Sequence, residues 1–416
     1  MSKSRYFFLV TILGLMVALG PFSIDMYLPA FQVIAAEFNT TVSAVGFSMA
    51  SYFVGMAAGQ LIYGPLLDRY GRKPPLYAGL VLYVIASIAC ILATNVEQLI
   101  WFRLAQAIGG CASSVAALAM VRDIFPVKDN AKVFSSLILV ISASPMIAPS
   151  LGGFASLQWG WPSLFLFLIG ISVLILVLVF FGLDEAKGPD PSFSLLPKDI
   201  LRSFGQVFSE PQFSTYAFAG GIAFSSIFVF VSSSPFLYLK LYGFNEAQYG
   251  IMFAVLISGM IIASQMNRLL LRKSTSEVLI GWAIAVQVID SLLLLGMTLA
   301  GYESFYIQTI LIFIFLSTIG IVLPNSSALT LAPFDSNTGT ASSMLGALQL
   351  GFGALASFVV SYLTTDSILP MVVTMCICAT CAMLSLLIGR PFVKVKGNSE
   401  KVKDSGEVKG GLHGHF

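Results

Sequence analysis

Formal charge is scarce in this chain. Only 10% of its 416 residues are Asp, Glu, Lys or Arg, against about 25% in an ordinary soluble domain. Hydrophobic types supply 57%, so water cannot solvate most of the surface, and a soluble globular protein is excluded. The net charge is +2, and bulk charge gives no reason to expect a nucleic-acid partner. There are two histidines, both in the tail, in His413-Gly414-His415. They could hold a metal weakly, or simply belong to a disordered tail, which is the plainer reading. Of the five cysteines, Cys376, Cys378 and Cys381 lie close together but have no His or acid beside them. They read as small apolar fillers rather than a metal cluster. No metal or cofactor is expected. No catalytic constellation is present, and no G-x-x-x-x-G-K-[ST] loop that would make ATP the direct driver, so an enzyme is not expected.

Long uncharged runs recur along nearly the whole length, and roughly 20 apolar residues span a bilayer as a helix. The shorter alternating segments of a membrane β-barrel are absent. The fold class is therefore an all-α integral membrane protein. The first run, after Lys3 and Arg5, outlasts a signal peptide and reads as an uncleaved span. Polar punctuation divides the chain into twelve spans near 6–34, 43–64, 75–95, 98–121, 131–155, 161–183, 212–239, 246–270, 276–298, 304–326, 338–363 and 368–390. The longest polar connection follows the sixth. It divides the chain into a six-helix bundle at 1–183, a linker at 184–211, a second six-helix bundle at 212–390 and a disordered tail at 391–416.

Basic residues test this count. With the N-terminus in the cytoplasm, the inner segments hold Lys3, Arg5, Arg69, Arg72, Lys73, Arg122, Lys128, Lys132, Lys187, Lys198, Arg202, Arg268, Arg272, Lys273 and the basic tail, while the outer loops hold Lys240 alone. That is the positive-inside asymmetry, and it places both termini in the cytoplasm. One missed span would make the basic loops alternate wrongly.

Three formal charges fall inside spans: Asp25 in the first, Arg103 in the fourth and Asp290 in the ninth. Each costs at least ~2.5–3.5 kcal/mol on insertion scales, so each should face a cavity or a partner. Asp25 and Arg103 both belong to the outer half of their helices and are candidate partners. Two readings are open: a structural ion pair, and a proton site. Desolvation favours the protonated carboxylate and a nearby cation the ionised one, so a cavity opening alternately to each side could load and unload Asp25. Pro21 and Pro29 bracket it where a helix could bend. Asp290, one turn after Gln287, is a possible second acid, or pairs with another helix.

Between the second and third spans lies "GPLLDRYGRKPP", Gly64 to Pro75. Positive-inside topology needs only its basic residues. Asp68 among Arg69, Arg72 and Lys73, framed by Gly64 and Gly71, suggests a specific latch, with Asp68 a candidate for a helix N-terminus. The corresponding loop of the second half keeps Arg268, Arg272 and Lys273 but lacks the glycines and the acid, so the halves read as weakly related repeats. The fifth span carries "SASPMIAPSLGG". There Pro145 and Pro149 imply either a fixed kink or a hinge, and Gly152 and Gly153 a close helix approach. Tyr27, Tyr52, Phe228, Phe230 and Tyr238 are candidate cavity-lining groups; packing or lipid exposure is the alternative for each.

With these residues in view, the chain resembles the major facilitator superfamily. More narrowly, it resembles the drug:proton antiporters of the bicyclomycin- and chloramphenicol-resistance branch. Gly64–Lys73 is similar to the superfamily signature G-x-L-x-D-R-x-G-R-K. Arg103, Gln106 and Gly109 match the fourth-helix R-x-x-Q-G-x-G motif, with Ala107 at its first glycine. "SIDMYLPAF" matches the branch's first-helix pattern, with Asp25 at the acidic position. The resemblance implies twelve transmembrane helices in two six-helix bundles (the major facilitator fold) in the bacterial inner membrane. It implies a monomer that handles a small-molecule substrate and protons within the lipid bilayer. It makes Asp25 the coupling acid and Arg103 its electrostatic partner. Asp68, Arg69 and Arg72, with Asp123, become a cytoplasmic latch. The fifth-helix antiporter motif normally has glycine before its second proline; here Ala148 stands there. The expected function is export of small amphipathic drugs or toxic compounds in exchange for protons. Two alternatives are a same-fold transporter of a metabolite or siderophore, and a channel or membrane sensor.

Overall fold

The computed structural model describes residues 3–125, 127–183, 188–189, 195–302, 304–334, 338–363 and 367–393. Asp184, Glu185, Lys187 and Asp190 of the expected linker lie outside them, as does the tail with His413 and His415. The first half holds α1 (Lys3–Asp25), α2 (Phe31–Glu37), α3 (Val42–Tyr70), α4 (Lys73–Ile91), α5 (Val96–Ile124), α6 (Val127–Trp159) and α7 (Pro162–Gly182). After a connecting helix, α8 (Pro197–Phe208), come α9 (Pro211–Pro235), α10 (Glu246–Leu270), α11 (Ser276–Leu299), α12 (Phe305–Leu331), α13 (Thr338–Tyr362) and α14 (Leu369–Gly389). Twelve traverses are long and apolar enough to cross a membrane, with α1 and α2 sharing the first. The described residues contain no strand.

Helices form because hydrocarbon offers no water to the backbone, so each segment must satisfy its own N–H and C=O groups. Their ends are written in the sequence. Thr41 Oγ1 accepts from the Ala44 N–H at 3.2 Å and caps α3. Asn95 Oδ1 accepts from the Gln98 N–H at 2.9 Å and caps α5. Asn245 and Gln248 exchange bonds at 2.8 and 3.0 Å as a capping box that opens α10. Proline occupies the first turn of α7, α8 and α9, where its missing N–H costs nothing.

Within the first half, α3 and α4 both pack on α5, and α6 packs on α1. Within the second, α9 packs on α12, α13 and α14, and α11 packs chiefly on α12 and α14. The halves meet along two seams, α3 with α13 and α6 with α10. Gly64 faces Ser343 across the first seam and Gly250 lies against Ser150 across the second. Large apolar side chains such as Phe181, Trp282 and Ile388 are exposed, as lipid-facing residues should be.

The bend expected between Pro21 and Pro29 takes the form of a break within a single traverse: α1 stops at Asp25, and the chain passes through a 3₁₀ turn at Leu28–Ala30 before α2. Pro29 has no N–H to continue α1's hydrogen-bond ladder, and the chain tightens into the 3₁₀ turn there. Two expectations need correcting. The Gly64–Pro75 segment is not a loop. α3 runs on through Pro65 to Tyr70, and only Gly71 and Arg72 separate it from α4, so Asp68 and Arg69 ride on a helix end. The connection between the halves, read as polar linker, contains α8.

Candidate functional site

Ending α1 at Asp25 leaves carbonyls of its last turn without intrahelical donors. The Met26 N–H takes the Phe22 carbonyl at 3.2 Å, and the Ser23 carbonyl is filled from another helix. Arg103, on α5 and wholly buried, donates Nη2–H to that oxygen at 2.9 Å. Its Nη1–H goes to Gln106 Oε1 at 2.6 Å. Gln106 Nε2 in turn donates to Ser87 Oγ at 2.7 Å, so the fourth-helix motif is a relay that holds the guanidinium flat. Two rings sandwich it: its central carbon lies 4.2 Å from the Tyr52 ring centre and 4.5 Å from that of Tyr27. Cation–π contact and the negative end of α1's dipole thus stand in for a carboxylate. Tyr27 is locked by its hydroxyl against Ser48 Oγ at 2.8 Å, and Ser23 by Tyr83 at 2.6 Å.

The expected pairing of Arg103 with Asp25 is therefore not a direct one. Among the described residues no ion pair joins them. Asp25 is 4% exposed, and the 3₁₀ turn that follows it packs on α9 and α10 of the second half. It thus sits where the first half looks onto the second. Behind it, α6 comes so close that any Cβ at Gly152 would overlap the Met26 carbonyl, and this is why glycine stands there. Pro145 and Pro149 lie inside α6, which carries this contact without a break in its helical run.

Of the five aromatics expected along a cavity, Tyr27 and Tyr52 box Arg103. Phe228 meets Phe53 of α3 edge-on at 4.4 Å, closing the centre between the halves. Phe230 stacks on Phe253 at 5.6 Å, and Tyr238 packs with Tyr242 and Phe244. Open space lies instead near the two ends of the seam. One cleft of about 240 Å³ lies at the Gly64–Lys73 end, lined by Asp68, Arg72, Asp123, Phe204, Thr340 and Ser343 among others. A hollow of about 640 Å³ at the opposite end is lined by residues including Thr41, Ser43, Phe236, Lys240, Ser361 and Tyr362.

At the first end Arg72 gathers two acids. Its Nε–H donates to Asp123 Oδ2 at 2.6 Å and its Nη1–H to Asp68 Oδ1 at 3.0 Å. Burial opposes the guanidinium charge, but the bonds to Asp123 and Asp68 outweigh it and hold Arg72 above its ordinary pKa. Gly71 makes the geometry possible. Its φ of 84° and ψ of 179° fall in a region essentially reserved for glycine. Gly71→Ala should cost about 1–3 kcal/mol, read as a lower thermal midpoint in detergent. An unchanged midpoint would mean the turn relaxes.

Asp290 stands apart on α11. It is 4% exposed, Gln287 is fully buried, and Asp290 Oδ2 and both amide atoms of Gln287 have no hydrogen-bond partner. Among the described residues no ion pair or hydrogen bond joins Asp290 to another helix. A buried unpaired polar group costs about 1–3 kcal/mol by mutational measures. Asp290→Leu should therefore raise the thermal midpoint while transport persists; loss of transport would assign Asp290 a role in coupling.

Sequence reasoning missed several participants. Ser23 acts through its carbonyl, which no side-chain motif records. Gln106 was visible as a motif residue, but its link to Ser87 was not. Phe204 had a signal, the helical spacing of Ile200, Leu201, Phe204, Val207 and Phe208, among charged residues and prolines.

Twelve apolar traverses in two packed halves, with a buried acid and a buried guanidinium in the first, are the architecture of a membrane transporter. The pattern of the Major Facilitator Superfamily matches residues 13–361, and the chain belongs to that superfamily. It is similar to the bicyclomycin resistance protein homolog of Haemophilus influenzae, 29% identical over 384 residues that cover 92% of this chain and 96% of the relative. It is also similar to the chloramphenicol resistance protein of Pseudomonas aeruginosa, 29% identical over 426 residues that cover 96% and 95%. In fold it is similar to a D-xylose–proton symporter, with a TM-score of 0.72 at 15% identity, over 94% of this chain and 98% of that one.

Proposed function

We propose that this protein exports small amphipathic compounds across the bacterial inner membrane in exchange for protons. The observation that carries the reading is Asp25: a carboxyl group buried at a helix break, without a cationic partner in contact, facing the seam between two helical halves. A group so placed is cheap to bury neutral and expensive to bury charged, and rocking of the halves about α3–α13 and α6–α10 would change its access to water. Arg103, held by Ser23 and Gln106, sets the field around it. Resistance proteins among the relatives support the substrate class and the outward direction. The bundles that rock are residues 1–183 and 212–390. The Asp68–Arg72–Asp123 cluster is the cytoplasmic latch, with Arg69 and Lys73 beside it, and both termini are cytoplasmic. The protein acts as a monomer.

The test is transport by the purified chain in proteoliposomes against a panel of neutral and cationic compounds, with an imposed pH gradient. Uphill movement that stops when a protonophore collapses the gradient is the expected result. Flux that ignores the gradient would sink the proton-coupled reading and favour a channel. Coupled movement of a metabolite or siderophore alone would favour a physiological carrier on the same fold.

A further inference from the structure

The helix between the halves has an apolar face that the transport cycle does not use. Along α8 (Pro197–Phe208), Ile200, Leu201, Phe204, Val207 and Phe208 fall on one arc. One edge of that arc is packed. Val207 is 1% exposed and clusters with Phe213 of α9 and with Ala341, Met344 and Leu345 of α13, and Phe204 is partly buried against the same cluster. Phe204 also reaches the cleft beside Asp68, Arg72, Asp123 and Thr340. The first turns of α13 therefore touch α8 on one side and the latch cleft on the other.

The other edge has no such cover. Leu201 is 66% exposed and Phe208 41%. Yet Phe208 is continuous with the surface that faces lipid. Its ring meets Phe213 edge-on at 5.8 Å and tilts against Phe218 at 6.4 Å, and Phe218 is itself exposed on the flank of a spanning helix. Lys198 and Arg202 are exposed on the flank of α8 beyond Leu201. Exposed apolar groups bordered by basic ones, on a short helix joined directly to a spanning helix, form an interfacial pattern.

We propose that α8 lies in the anionic headgroup layer of the membrane and sets the latch from there. Leu201 and Phe208 enter the acyl boundary, and Lys198 and Arg202 meet lipid phosphates. Anchored in this way, α8 keeps Phe204 and Val207 seated against α13 and favours the closed latch. The regulatory half of this proposal rests on reading Asp68–Arg72–Asp123 as a gate. The lipid half does not.

Two measurements on the full chain, in a Cys381→Ser background, test it without requiring transport. A fluorophore at Leu201→Cys should be quenched by brominated lipid in vesicles of phosphatidylcholine with phosphatidylglycerol. Lys198→Glu and Arg202→Glu should each weaken that contact by more than about fivefold, since losing one basic residue at an anionic surface is worth about that much and the new carboxylate adds repulsion. Aqueous labelling of Ser343→Cys, in the latch cleft, should run several-fold faster in phosphatidylcholine alone than in the anionic mixture. In the double charge-reversal variant it should run equally fast in both. Quenching of the Leu201→Cys label by iodide rather than by lipid would overturn the proposal and leave that face to water or a soluble partner. Labelling of Ser343→Cys that is indifferent to lipid would overturn the link to the latch. Failure of export in the proteoliposome assay would leave both readouts intact.

Discussion

Asp25→Asn is expected to abolish uphill transport while leaving the protein folded and able to exchange substrate for substrate. The substitution keeps the shape of the protonated acid and removes its ability to release the proton. It should not unfold the chain, because among the described residues Asp25 makes no ion pair that the variant would break. The size of the effect follows from the driving force. One charge crossing 100 mV is worth about 2.3 kcal/mol, and each 1.4 kcal/mol is a factor of ten. Accumulation should thus fall by about fiftyfold for every proton lost from the cycle at that potential. The measurement is the steady-state substrate ratio across everted vesicles, with counterflow as the control. A variant that still concentrates substrate to the normal ratio would remove Asp25 from coupling. One that loses counterflow as well would show that the side chain is needed for movement of the halves rather than for the proton.

Arg103→Lys should be among the most damaging conservative substitutions in the first half. A lysine offers one ammonium where the guanidinium fork bridges the Ser23 carbonyl and Gln106 Oε1, and it lacks the flat face that Tyr27 and Tyr52 enclose. Whichever bond is lost leaves a buried oxygen unpaired, at about 1–3 kcal/mol, and loss of the ring contacts adds up to about 2 kcal/mol. The expected outcome is a thermal midpoint well below that of Asp25→Asn. Arg103 also caps α1, so amide exchange across residues 22–30 should accelerate selectively. A drop in stability with unchanged exchange there would mean that Arg103 stabilises the bundle without fixing the break.

How much of this was legible beforehand depends on the length scale of each feature. Apolar runs are local and long, so the twelve traverses could be counted from composition. Gly71 was legible as a permissive residue, because a sharp turn between two helices in a charged motif has few alternatives. The break after Asp25 was only half legible. Pro29 announces a disturbance, but the residue at which α1 stops depends on Arg103 accepting the role of cap from a different helix. Asp25 and Arg103 were recognised as costly charges, and pairing opposite charges is the simplest resolution. The fold resolves the cost differently, with a carbonyl and two rings. Tyr27 and Tyr52 show the same limit: a sequence tells that an aromatic is near a charge in depth, not that it lies flat on it. α8 was masked by its surroundings, since twelve residues among three prolines and several charges read as a linker unless the apolar spacing is weighed alone.

One turn of α6 has a consequence for how motion reaches the acid. Ser150 on that turn bears on Gly250 of the opposite half, and Gly152, two residues on, bears on the Met26 carbonyl beside Asp25. A helix advances about 1.5 Å per residue, so the sliding surface between the halves and the backbone next to the acid are separated by less than one helical pitch. Such a turn works like a gear tooth engaged on two wheels. In the proposed rocking cycle, displacement of one half against the other and reshaping of the acid's surroundings would be a single mechanical event, with no relay through the membrane required. Added bulk at position 150, 152 or 250 should then produce the same transport defect, whichever wheel it jams.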